Sequence, residues 1–64
     1  MTKLKKIRLS KNISREKLSE ISGISIRTIE GYEQKRRNIN NSSVNTMIKL
    51  ADALECDFFD ILEN

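Results

Sequence analysis

A chain of 64 residues with no proline, two glycines and a net charge of +3 is short for a core without staples, and it leaves room for one domain. One cysteine and no histidine exclude an intrachain disulfide and a zinc site built on Cys56 alone. No apolar run approaches the roughly 20 residues of a membrane span, and no leader-like segment is present, so a cytoplasmic location is expected.

The charge is unevenly spread. Residues 1–37 hold eleven Lys/Arg against four Asp/Glu, whereas residues 38–64 hold Lys49 against five acidic side chains. A basic half suits a polyanionic partner, with the acidic half turned away from it.

Taken in order, Thr2 caps a first helix with Leu4, Ile7 and Arg8 on one face and Lys3, Lys5, Lys6 and Lys11 elsewhere. Leu9 points off that stripe. Asn12 is a C-terminal stop, since asparagine tolerates the left-handed conformation. Ile13 drops toward the core and Ser14 caps a second helix, on which Leu18 and Ile21 lie three apart on one face. Arg15 in its first turn is unfavourable against the helix dipole, and a nearby phosphate would supply a reason for it. In Ser22-Gly23-Ile24-Ser25, Gly23 can turn left-handed to end that helix and Ser25 can cap the next. The third helix runs from Ile26 to about Gln34. Its Ile29 and Tyr32 face inward, which leaves Ile26, Arg27, Glu30 and Gly31 to a partner. Two short helices joined by a glycine-bearing turn make a helix-turn-helix, whose second helix lies in the major groove of DNA.

Lys35-Arg36-Arg37 follows as a basic run, and Asn38–Ser42 as a polar loop anchored by Ile39. Ser42 or Ser43 caps a fourth helix with an inward stripe of Val44, Met47, Ile48, Ala51 and Leu54. Asp57 caps a fifth, Phe58–Glu63, with Phe58, Ile61 and Leu62 inside. The expected architecture is all-α: one domain over residues 1–64, with five helices and short loops around a single core.

The segments LKKIR, ISREKLSEISGISIRTIEGYE, KRR and IKLADALECDFFDIL together resemble the Xre-type, lambda-repressor-like DNA-binding domains, the family of phage repressors and Cro proteins. The resemblance implies a prokaryotic or phage transcriptional regulator that binds double-stranded operator DNA as a dimer. It maps base reading onto Ile26, Arg27, Thr28 and Gly31, and a phosphate contact onto Arg15; Ser25 and the basic run Lys35, Arg36 and Arg37 are expected to bind phosphate beside it. It also implies a structural ion pair between Arg8 and Glu33. The sequence departs from the family at Ser19, where alanine is typical, and at Lys35, where glycine is usual. Either Lys35 is forced left-handed or the helix ends differently there. Gly31 offers no side chain where relatives often read a base.

No nucleophile stands beside a base and no glycine-rich phosphate loop is present, so an enzyme is not expected, nor a cofactor, a catalytic residue or a small-molecule ligand. Cys56 reads as a small packing residue, since Glu55 and Asp57 disfavour a thiolate. A homodimer is expected through the C-terminal helix, built on Phe59 beside Leu62 and bordered by Leu9, on a palindromic operator. The competing reading is a protein-interaction module of the same fold, an antirepressor or antitoxin-type partner.

Overall fold

Four hydroxyl side chains start the four helices of the protein, which is described here over residues 1–63 of a computed structural model. They are α1 (Lys3–Ser10), α2 (Arg15–Ser22), α3 (Ile26–Glu33) and α4 (Val44–Leu54). In each, the residue before the helix accepts a bond from the backbone N–H three positions on: Thr2 from Lys5, Ser14 from Lys17, Ser25 from Thr28 and Ser43 from Thr46, at 3.0–3.2 Å. Such a cap satisfies a donor that the helix itself cannot, and is worth about 1 kcal/mol. Beyond the last turns, Asn12, Gly23, Lys35 and Glu55 all adopt left-handed backbone, with φ of 58°, 75°, 63° and 56°. Only glycine does this without a steric cost; for Lys35 and Glu55 the cost is about 1–2 kcal/mol each.

The core is a single cluster: Leu4 of α1, Leu18 of α2, Ile29 and Tyr32 of α3, Ile39, Leu50, Ala51 and Leu54 of α4, and Ile61. Each large apolar side chain buried here contributes about 1.5–3 kcal/mol. α2 packs on both α3 and α4, and α1 on α3. Between α2 and α3, the Ser19 hydroxyl donates to the Ile24 carbonyl at 2.6 Å across the turn.

The expected fifth helix is not formed. Phe58–Asp60 is one 3-10 turn, with the Asp60 carboxylate accepting from the Asp57 N–H. Beyond it, polar groups of the chain are taken by distant partners. Glu63 N–H donates to Asn40 Oδ1 at 2.9 Å, Asn40 Nδ2 donates to the Glu63 carbonyl at 2.6 Å, and the Glu63 carboxylate accepts from Lys3 N–H at 2.8 Å. Ile61 is buried as expected, while Phe58 and Leu62 are half-buried. A further 3-10 turn, Ile39–Asn41, seats the anchor Ile39.

The stripe on α4 is also displaced. Met47, Leu50, Ala51 and Leu54 are buried, whereas Val44 and Ile48 are 62% and 43% exposed. Two overlapping apolar stripes compete on this helix, and the one around Leu50 faces the core. Ile21 is likewise exposed. In its stead Ser22 is buried, its hydroxyl accepting from the Ile24 N–H.

Glu33, the last residue of α3, is buried and ties three helices together. Arg8 of α1 donates from Nε to Oε2 at 2.6 Å and from Nη2 to Oε1 at 3.0 Å, and its Nη1 donates to the Ile13 carbonyl at 2.7 Å. Arg15 of α2 adds a bond from Nε to Oε1 at 2.9 Å. Burial raises the Glu33 pKa, but the bonds from Arg8 and then Arg15 outweigh it and hold the carboxyl below its usual value.

Two outcomes are expected. Glu33→Gln leaves Arg8 buried without its counter-charge and should lower stability by about 3–5 kcal/mol, whereas loss of the part-exposed Arg15 should cost about 1 kcal/mol or less. Thermal melts followed by circular dichroism compare them, and similar shifts would contradict this ranking. The pH dependence follows from the lowered carboxyl: its stabilisation is complete above the ordinary glutamate pKa of about 4.3 and is lost as pH falls through the lower folded value. That acid-side loss should disappear in Glu33→Gln.

Candidate nucleic-acid interface

The sequence of α3 divides it into two faces. Ile29, Tyr32 and Glu33 point inward and are 0%, 7% and 7% exposed. Arg27 is exposed, and Ile26, Thr28 and Glu30 are part-exposed. With a period of 3.6 residues, Arg27 and Gly31 lie one turn apart on the side opposite the core.

The N-terminal end of this face is ordered by its own cap. Ser25 Oγ accepts from the Thr28 N–H and shares a second hydrogen bond with Thr28 Oγ1 at 2.9 Å. The Thr28 hydroxyl is therefore engaged within its own helix. At the other end the chain folds back over α3: the N–H groups of Arg36 and Arg37 both donate to the Gly31 carbonyl, at 2.9 and 3.0 Å. That pins the basic run against the helix, with Lys35 as its left-handed pivot. Lys35 thus keeps the conformation in which the family favours glycine.

Gly31 is buried although it lies on the outward side. The side chain of Arg37 covers it, so the gap expected at this position is filled by a residue six positions later. Arg27, Arg36 and Arg37 are exposed and form no ion pair among the described residues.

Arg15 stands at the start of α2, near the same end of the molecule as Glu33. Its unfavourable position against the helix dipole has an internal reason: besides Glu33, its Nη1 lies 3.8 Å from Glu30 Oε2. Sequence reading missed both partners. The available signal was chemical rather than positional, since Glu33 has two oxygens and Arg8 alone does not exhaust them. Glu30, which the sequence leaves open to an outside partner, instead faces Arg15.

Away from this face, Phe59 is 68% exposed and its ring stacks on Phe58 with centroids 4.2 Å apart; Leu9 is 46% exposed. Leu62 is half-buried. Burial and then the charge of Asp60 push the Cys56 thiol up, which keeps it protonated at neutral pH. Among the described residues no cluster of Cys, Asp and Glu is arranged to hold a metal ion, and no helix is long and apolar enough to cross a membrane.

Set beside known proteins, the chain matches the family model described as helix-turn-helix over residues 4–61. No curated protein and no solved structure matched it. With two short helices about a left-handed Gly23, a buried Arg8–Glu33 pair and a match spanning all four helices, the chain belongs to the helix-turn-helix family of the Xre, lambda-repressor-like type, whose members are DNA-binding regulators.

Proposed function

We propose that the protein is a sequence-specific regulator of transcription, a repressor that inserts α3 into the major groove of double-stranded DNA. The observation that carries this reading is the exposed, unpaired Arg27 on the outer face of α3, with the exposed Arg36 and Arg37 directly beyond it. Arg27 reads a base edge, bidentate to guanine where one is present, and Ile26 meets a thymine methyl. Thr28 contributes through the methyl or the remaining lone pair of its capped hydroxyl. Arg15, Ser25, Lys35, Arg36 and Arg37 hold the phosphates on either side. Repression, a cytoplasmic setting and the absence of a catalytic role follow from the resemblance to phage repressors and Cro proteins.

Contacts of these two kinds respond differently to mutation and to salt. Affinity should fall steeply with salt, with a slope of roughly −0.9 for each phosphate neutralised. Arg36→Ala should weaken binding to all duplexes alike and flatten that slope by about one unit. Arg27→Ala should narrow the gap between selected and random DNA, by roughly 1–3 kcal/mol where a guanine is read. Fluorescence anisotropy on a site selected from random duplexes, at several salt concentrations, measures both effects. Failure to bind any duplex at low salt would replace this reading with the protein-interaction module.

The regulator acts as a homodimer on a palindromic operator, its half-sites about one helical turn, roughly 34 Å, apart. Support comes from Phe59, the most exposed aromatic side chain, and from the exposed Leu9; Leu62 is half-buried. Burying one phenylalanine contributes about 1.5–3 kcal/mol, and a two-fold axis doubles it. Phe59→Ser should shift the sedimenting species toward monomer with its helical spectrum intact. A parent chain that sediments as a monomer at high concentration would remove the dimer in solution.

A further inference from the structure

Gly31 has helical backbone on the outer face of α3 and does not need glycine's conformational freedom, since its φ is not among the positive values. An alanine would suit the helix better by its intrinsic preference. What the glycine permits is a close approach. A Cβ at position 31 would stand 2.9 Å from Arg37 Cδ, 3.1 Å from Cγ and 3.3 Å from Nε. The Arg37 stem therefore lies directly on the Gly31 backbone, and the two main-chain bonds from Arg36 and Arg37 to the Gly31 carbonyl hold the base of that side chain in register.

The direction of position 31 gives this contact its meaning. It lies one turn beyond Arg27, on the side of α3 opposite Ile29, Tyr32 and Glu33. A side chain from outside the helix thus occupies the slot on the outer face that residue 31 would fill. An arginine pinned along its stem loses little further freedom when it binds, and its planar fork can pair with guanine where a lysine cannot.

We propose that Arg37, seated on Gly31, is a specificity-determining residue of the DNA interface, reading a base next to the one met by Arg27, and that Gly31 is its positioning residue. This rests on the DNA-binding reading above. It takes Arg37 out of the sequence-independent phosphate set and takes Gly31 out of direct base contact.

The seat is tested without DNA and the reading with it. The ¹⁵N relaxation of the Arg37 Nε–Hε group should show an ordered side chain in the parent and a mobile one in Gly31→Ala, which should melt no lower than the parent; equal mobility in both would overturn the seat. On DNA, the comparison is affinity for a duplex selected by the parent against random duplex. Arg37→Lys keeps the charge, so random-duplex affinity should stay near the parent's while the selected-site preference falls about ten- to hundredfold. Gly31→Ala should lose a similar preference, and the double variant should lose no more than Arg37→Ala alone. Equal losses on selected and random DNA, full rescue by Arg37→Lys, or additive losses in the double variant would overturn the proposal while leaving DNA binding intact. A parent that binds no duplex at low salt would overturn both.

Discussion

The carboxylate of Glu33 is shared by an arginine from each of the two helices that precede its own. Arg8 grips both oxygens from α1, Arg15 reaches one of them from α2, and Arg8 spends its remaining nitrogen on the Ile13 carbonyl in the connection between α1 and α2. Ion pairs of this kind add little net stability over a well-packed apolar set, because two charges must first leave water. Their effect here is directional. Apolar contacts around Leu18, Ile29 and Leu50 tolerate some sliding and rotation, whereas hydrogen bonds to fixed oxygens at 2.6–3.0 Å do not. The far end of α3 is held to both helices beside it, and the outer face of α3 inherits that orientation.

The two turns around α3 extend the same constraint. Gly23 and the Ser25 cap set where α3 begins, and Lys35 sets where the chain leaves it. The left-handed Lys35 is strained, and the bonds from Arg36 and Arg37 to the Gly31 carbonyl offset that strain by returning the basic run to the helix. Backbone strain, a glycine and three consecutive cations thus serve one arrangement, in which charge lies along the helix rather than trailing away from it.

Local chemistry made much of this legible in the sequence. A hydroxyl three residues before a helical N–H is a short-range relation, so Thr2, Ser14 and Ser25 are legible as caps and Asn12 and Gly23 as stops, while for the fourth helix Ser42 and Ser43 both qualify and the structure selects Ser43. The resemblance supplied the Arg8–Glu33 pair. What failed was whatever depended on choosing between equals or on distant partners. Val44 and Ile48 are as apolar as Leu50, and only the packed neighbours decide which stripe of α4 is buried. The C-terminal residues have helical periodicity, yet bonds to Asn40 and Lys3, 23 and 60 positions away, draw them out of a helix. Arg15 and Glu33 are 18 apart, a separation with no periodic meaning. Gly31 was legible as a missing side chain, but not as a seat for one that arrives from Arg37.

The closure between Glu63 and Lys3 has a consequence for how the molecule comes into being. The helix-turn-helix precedes Ile61 and Glu63 in the chain by about 30 residues, yet its setting depends on them. Ile61 belongs to the same core cluster as Leu4, Ile29 and Tyr32, and Glu63 caps the first amide of α1. Until those residues dock, the core beneath α3 lacks one of its fully buried side chains. Before that closure the outer face of α3 is without the frame that orients it. Domains of this size fold as units, so the outer face of α3 takes its final orientation only once Ile61 and Glu63 have docked.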